Sequence, residues 1–257
     1  MKNTLAIAGK ELRSYFVSPI AYVVLTGFLL LGGWFFFNLL ARFNFLLSVY
    51  SALRNPEAMT RLNLNEFVIA PLLHNLSVVL VILVPMITMR SFAEEKRSGT
   101  YELLLTSPLS VTEIVLGKFL GAFVFLLVMI GLSGIYPVLL RVYGNPEVGV
   151  IVAGYLGLLL LATAFVAVGL LTSSFTENQI IAAVSCLVVL LLLYVIAWPA
   201  ETAGEIVGAV LKYVSLTEHF TEMVKGLIDT RDLVYFVTVI VLALFLTQRS
   251  VESIRWR

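Results

Sequence analysis

Ionisable and nucleophilic side chains are sparse in this sequence, and most of them fall in one stretch. Between Arg90 and Lys118, RSFAEEKRSGTYELLLTSPLSVTEIVLGK, the charges Glu94, Glu95, Lys96, Arg97, Glu102, Glu113 and Lys118 stand between two runs nearly free of charge. Two other arrangements invite a chemical reading. Gly131-Leu132-Ser133-Gly134 could present a serine nucleophile, which needs a histidine base within hydrogen-bond reach, and His74 is the one histidine inside an apolar run. Small residues in such a helix more often permit close packing, and a lone histidine is more often a hydrogen-bonded interface residue. Gly117-Lys118 ends like a phosphate-binding loop, but Phe119 stands where that loop needs Ser or Thr, and no glycine precedes at the required spacing. The chain therefore carries no ATPase motif of its own. Cys186 is the single cysteine, so neither a disulfide framework nor a metal set is expected. No catalytic residue is assigned.

The elements that hold these residues are read from hydropathy. Hydrophobic residues make up 60% and charged residues 13%, about half the charged share of a soluble domain, and the mean hydropathy is +1.00. The expectation is an all-α integral membrane protein. A net charge of +1 leaves no footprint for nucleic acid. Runs of roughly 20 apolar residues place six spans at Ile20 to Ala41, Pro71 to Met89, Phe119 to Leu140, Gly149 to Thr172, Glu177 to Trp198 and Leu233 to Gln248. Apart from Glu177 these spans contain no Asp, Glu, Lys or Arg, whereas ion-coupled transporters carry such groups in the membrane. Any transport must then draw its energy from outside the chain.

Before the first span, Leu5, Ala6, Ala8, Leu12 and Phe16 alternate with Lys10, Glu11 and Arg13 in the pattern of an interfacial helix on the lipid surface. That polar, amphipathic start lacks the apolar core of a cleavable signal peptide. Ser18-Pro19 bends the chain into the bilayer. Arg42 to Ala70 and Glu201 to Thr230 read as outer segments with short amphipathic helices, with Pro199 as the break before the second. Trp34 and Phe35 to Phe37 crowd the outer half of the first span as a belt or gate, with core packing the default reading. Trp34, Phe37, Asn38 and Asn75 are the candidates for a pathway or gate.

Within the polar stretch, Ser91 with Glu94 and Ser110 with Glu113 have the S-x-x-E spacing of reciprocal helix caps, as do Ser174 and Glu177 before the fifth span. Gly99 breaks the first short helix. Thr100 to Thr106 forms another, carrying Leu103, Leu104 and Leu105, and Ser107-Pro108 ends it. Three leucines in a polar loop require a partner surface.

These residues carry a resemblance. R-S-F-A-E-E-K-R-S-G-T-Y-E-L-L-L-T-S-P followed by E-I-V-L-G-K closely resembles the segment after the second membrane helix in ABC-2 type permeases of the gliding-motility-associated group. Lys10 to Tyr22 (K-E-L-R-S-Y-F-V-S-P-I-A-Y), Thr176 to Gln179 (T-E-N-Q), Thr217 to Phe220 (T-E-H-F) and Ile228 to Asp232 (I-D-T-R-D) are similar to that group as well. The resemblance spans essentially the whole chain, 1–257. It implies one permease domain of six spans, with an elbow helix bearing Lys10, Glu11 and Arg13 and gate helices before the last span. It also implies a second permease copy or paralogue, cytoplasmic ABC ATPase subunits that bind ATP and Mg, and a multi-pass place in the bacterial inner membrane among its lipids. The load would be an exported amphiphile, polysaccharide or protein component. Energy from a separate ATPase has to enter by protein contact, and Arg90 to Lys118 is the one sizeable inner loop. Glu94, Glu95, Lys96, Arg97, Gly99, Thr100, Glu102, Leu103, Leu104 and Leu105 are its expected contacts. The competing readings are a non-transporting membrane anchor or assembly subunit and a rhomboid-like protease using Ser133 and His74.

With the N-terminus cytoplasmic, the inner segments hold ten basic residues, among them Lys10, Arg90, Lys96, Arg97 and Arg249, and the outer ones seven, a modest positive-inside bias. Both termini are then cytoplasmic. Single-cysteine labelling in a Cys186→Ser background tests this: Ser98→Cys reacts from the cytoplasmic side only, and labelling from outside overturns the orientation.

Overall fold

An apolar run that crosses a bilayer must satisfy its backbone internally, which a helix does and an open strand does not. The computed structural model describes residues 2–53, 62–100 and 109–255, and these form helices without a strand. Helix α1 covers Lys2–Val17, α2 Pro19–Ala52, α3 Ala70–Thr88 after a π turn at Asn65–Ile69, and α4 Arg90–Arg97. Then come α5 at Val111–Ser133, α6 at Ile135–Tyr143, α7 at Val148–Phe175 and α8 at Gln179–Val195. A 3-10 turn at Trp198–Glu201 leads to α9 at Glu205–Val214, α10 at Leu216–Val224 and α11 at Thr230–Arg255. Six helical segments among the described residues are long and apolar enough to cross a membrane.

Helix α7 is the axis of the bundle. It is apolar all round, as expected of a helix enclosed by others, and it packs against α3, α4, α5, α8, α10 and α11. Of its most apolar stretch 61% is buried, against 22% for α8 and 28% for α2 and α11, so those three form the periphery. Glycines on α7 set how closely its neighbours approach. A Cβ at Gly157 would lie 2.8 Å from the Met223 side chain on α10, and one at Gly169 would lie 2.2 Å from Thr88 Oγ1 on α3.

Several boundaries differ from those read in the sequence. The first span does not stop near Ala41: α2 runs on to Ala52, so Leu46, Leu47, Val49 and Tyr50 continue it instead of starting a separate helix. The third spanning segment begins at Val111, well before Phe119, because the Ser110/Glu113 capping box forms with both of its hydrogen bonds. The Ser174/Glu177 cap does not form. Ser174 is buried inside α7, and Asn178 Oδ1 caps α8 by accepting from Ile180 N at 2.9 Å. Ser91 does not cap α4 either, since α4 follows α3 after a single residue and Ser91 lies within it. The paired helices α9 and α10 agree with the periodicity between Glu201 and Thr230.

Gly169→Ala and Gly149→Ala separate packing from propensity on one helix. Gly149 is exposed with open space around its Cβ direction, so alanine there is neutral or stabilising by about 0.5–1 kcal/mol. At Gly169 the same methyl meets Thr88 and is expected to destabilise by about 1–3 kcal/mol, read as a lower unfolding midpoint in detergent.

Candidate functional site

One end of the bundle gathers nearly every charge that the sequence places around Arg90 to Lys118. Lys118, about two turns into α5, is 1% exposed. An ammonium out of water needs compensating charge. Lys118 Nζ donates to Glu11 Oε1 of α1 at 2.8 Å and to Glu95 Oε1 of α4 at 2.7 Å, and it lies over the Phe92 ring. Three helices distant in sequence are thus pinned by one cation shared between two carboxylates.

Glycine spacing makes the contact feasible. Gly117 and Gly121 lie on one face of α5, and α1 crosses them so closely that added Cβ atoms would stand 2.6 Å from Ile7 and 2.7 Å from Glu11 Cβ. This small-xxx-small pattern is legible in the sequence as Gly117 and Gly121, one turn apart on either side of Lys118. It turns Glu11 inward, so of the three elbow charges only Lys10 and Arg13 are exposed.

A second clamp holds the other side of α4. Ser173 Oγ of α7 donates to Met89 O at 3.1 Å and accepts from Phe92 N and Ala93 N at 3.1 and 3.2 Å. A hydroxyl inserted into a helical ladder is a recognised cause of a break, and here it separates α3 from α4. Next to it Lys96 Nζ donates to Ser174 O, which also accepts from Ser250 Oγ of α11. Glu95 and Lys96, expected to face a partner, are therefore engaged inside this chain. Glu94, Arg97, Gly99 and Thr100 are exposed. Gly99, at φ +70°, stops the helix in the left-handed region that glycine tolerates. Glu102, Leu103, Leu104 and Leu105 lie outside the described residues, as does most of the Thr100 to Thr106 helix and its Ser107-Pro108 end. Where the chain is described again, Glu113 caps α5 and accepts from Asn3 Nδ2 of α1 at 3.2 Å. Both roots of the loop are thus tied to α1.

At the opposite end, the T-E-H-F and I-D-T-R-D segments meet. His219 Nδ1 is 2.7 Å from Asp232 Oδ1, its Nε2 is 3.0 Å from Tyr213 O, and its ring stacks on Tyr235 at 3.9 Å. The ring thus bridges the Asp232 carboxyl and the Tyr213 carbonyl through its two nitrogens. This cluster joins α9, α10 and α11 beside a cavity of about 720 Å³ bordered by Lys212, Glu218, Glu222 and Arg231.

Other expected sites are dispersed. Trp34 and Phe37 are 65% and 68% exposed, on the outer face of α2 and away from this chain's core. Asn38 is exposed and donates to Trp34 O of its own helix, and Asn75 is half-buried. Of that aromatic group Phe36 is the buried ring, stacked on Tyr136. Ser133 and His74 do not form a nucleophile and base. Ser133 Oγ donates to Ile130 O and is fully buried, while His74 packs edge-on against Phe220, and no hydrogen bond joins the two.

Residues 55–247 match the model of a family described as ABC-2 family transporter protein. No curated protein matches the chain significantly.

Removing the shared cation isolates its contribution. Lys118→Ala leaves two largely buried carboxylates without their shared cation and is expected to cost about 3–5 kcal/mol of stability. The triple replacement Lys118→Met, Glu11→Gln, Glu95→Gln should recover most of it. Thermal unfolding of the purified protein distinguishes these outcomes, and a wild-type midpoint in the single variant contradicts the pinning role.

Proposed function

Because this chain belongs to the ABC-2 transporter family and is a transporter permease subunit, we propose that it is driven by a separate cytoplasmic ABC ATPase that docks on the loop rooted at Arg97 and Ser110. The observation that carries this reading is the double anchoring of that loop. Its first root is bound through Glu95 and Lys118 to α1 and α5, and through Ser173 to α7. A push on a loop held only by its own backbone would dissipate in the loop. Here the same push reaches the elbow helix, the third spanning segment and the central helix, each through a named polar contact.

In this reading both termini face the cytoplasm, two permease copies or paralogues pair, and the ATPase subunits bind ATP and Mg. Glu94, Arg97, Gly99 and Thr100 are exposed at the loop's root and supply register, while Leu103, Leu104 and Leu105 enter a cleft of the ATPase. The helices α9 and α10, held by His219 and Asp232, act as the outer gate. The cargo is an exported amphiphile, polysaccharide or protein component, and resemblance to the gliding-motility-associated group makes surface motility one setting for it. The membrane is the bacterial inner membrane.

Glu95 is unsuited to testing the contact, since it also neutralises Lys118. Glu94→Lys and Leu103→Asp with Leu104→Asp address it without touching the clamp. Truncating anchor contacts of an interface costs about 2 kcal/mol or more, about thirtyfold in affinity. ATPase pull-down and stimulated turnover should fall about thirtyfold in the leucine variant and by less in Glu94→Lys, with unchanged thermal stability. Undiminished binding and turnover in both would refute the loop as the coupling element.

A further inference from the structure

Helices α1 and α5 lie side by side in a fixed register. Asn3 Nδ2 reaches Glu113 Oε1 at 3.2 Å, an added Cβ at Gly117 would touch Ile7, one at Gly121 would touch Glu11, and the Tyr15 ring lies 5.5 Å from that of Phe125. Successive turns of α1 thus meet successive turns of α5, with both chains running in the same sense. That register gauges how deep α1 sits. The last charge on α5 is Lys118, and from Phe119 to Leu140 its spanning segment carries no Asp, Glu, Lys or Arg. This run is about 33 Å long at 1.5 Å per residue, close to the roughly 30 Å of a bilayer's hydrocarbon. By the same pairing Lys10 stands level with Leu120 and Arg13 level with Phe123, at the edge of the apolar run and just inside it.

Both cations are exposed. Glu11 is turned to Gly121, and Arg13 follows it by two residues, so Arg13 lies about 200° further round the helix, away from α5. Lys10 and Arg13 are three residues apart and therefore neighbours on one helix surface. Glu11, the one carboxylate of α1, is held by Lys118. The uncharged run of α5 offers no other, and neither does α2, whose one charged residue is Arg42. Lys10 also borders the half-enclosed cavity of about 260 Å³ that carries Glu94 and Glu95, whereas Arg13 does not. One turn beyond Arg13, Phe16 and Val17 are 37% and 75% exposed. Cations at the edge of an apolar run, with bare apolar side chains beyond them, match a lipid in cross-section.

We infer that Lys10 and Arg13 bind the phosphate of a lipid with a net negative headgroup, of the phosphatidylglycerol class, whose acyl chains lie along Phe16 and Val17. Long basic side chains lay their stems on apolar surface and hold their charge at the headgroup level, and basic residues there attract anionic lipid. A zwitterionic headgroup gains less, because its own ammonium competes for the phosphate. At this level α1, α2 and α5 offer no unengaged carboxylate to take the place of the lipid. The bound headgroup adjoins Glu11, and so the Lys118 joint that ties α1 to α4. The site depends neither on the ATPase nor on the orientation of the chain, which decides only the leaflet.

Native mass spectrometry of the detergent-purified full-length chain, titrated separately with phosphatidylglycerol and phosphatidylethanolamine of the same acyl chains, reads the preference. Phosphatidylglycerol should bind more tightly. Lys10→Gln with Arg13→Gln should cut its affinity about 25-fold, about fivefold per cation, while Arg13→Lys, which keeps the charge, should retain most of it. Lys2→Gln is the control: Lys2 is exposed too, but it precedes Asn3, which lies beside Glu113, well before the apolar run, so its loss should leave the affinity unchanged. All three residues are exposed, and the unfolding midpoint should stay at its wild-type value in every variant. Equal binding of the two lipids by the wild-type chain would overturn the charge basis. Wild-type affinity in the double variant would overturn the site and leave this face to a protein partner. An equal loss in Lys2→Gln would reduce the effect to the general field of a basic helix and overturn the assignment. Displacement by glycerophosphoglycerol, which has the headgroup without acyl chains, would overturn the membrane as the source.

Discussion

A buried ammonium that cannot be left alone organises this end of the molecule. Once Gly117 and Gly121 let α1 lie directly on α5, Lys118 is sealed from water, and a sealed cation demands carboxylates. Glu11 and Glu95 come from the two helices that must be present for the seal to exist. Close packing and charge pairing therefore require one another. The pair does not need to add net stability to matter: an apolar core would hold three helices together, but it would not specify so narrowly where α4 sits against α1 and α5.

The same economy appears on the central helix. Gly169 admits Thr88, and four residues on Ser173 enters the backbone ladder at Met89, Phe92 and Ala93. Residues one turn apart share a face, so a single stripe of α7 both receives α3 and ends it. The direction in which α4 leaves the bundle is thus set by a hydroxyl on another helix, one turn beyond Pro85 of α3. At the far end, His219 ties α9 and α11 through its two nitrogens, and the contrast in strength is telling. The Lys118 joint borders a half-enclosed cavity of about 260 Å³, whereas the His219 cluster borders a wider one of about 720 Å³.

Hydropathy alone was sufficient for the class of fold and the number of spanning segments, because a run of apolar residues long enough to cross a bilayer has one structural solution and needs no knowledge of its neighbours. Local chemistry was equally legible where both partners lie within a turn: the Ser110 and Glu113 box and the stop at Gly99 follow from backbone groups a few residues apart. The same spacing misled at Ser174 and Glu177, since a buried serine continued α7 and Asn178 took the cap. Nothing within that tetrapeptide records that the preceding turn is enclosed by α4 and α11.

Which charges face outward was decided by tertiary structure alone. Glu94 and Glu95 are neighbours of identical type, yet one is exposed and the other holds Lys118, because a helix turns about 100° per residue and only packing says which side is inside. Trp34 and Phe36 divide in the same way. Lys118 itself reads as one more polar residue of a loop until α1, more than a hundred residues earlier, is laid across it. Long-range pairing of this kind depends on which helices become neighbours, a property of the assembled bundle that no single stretch of the chain contains.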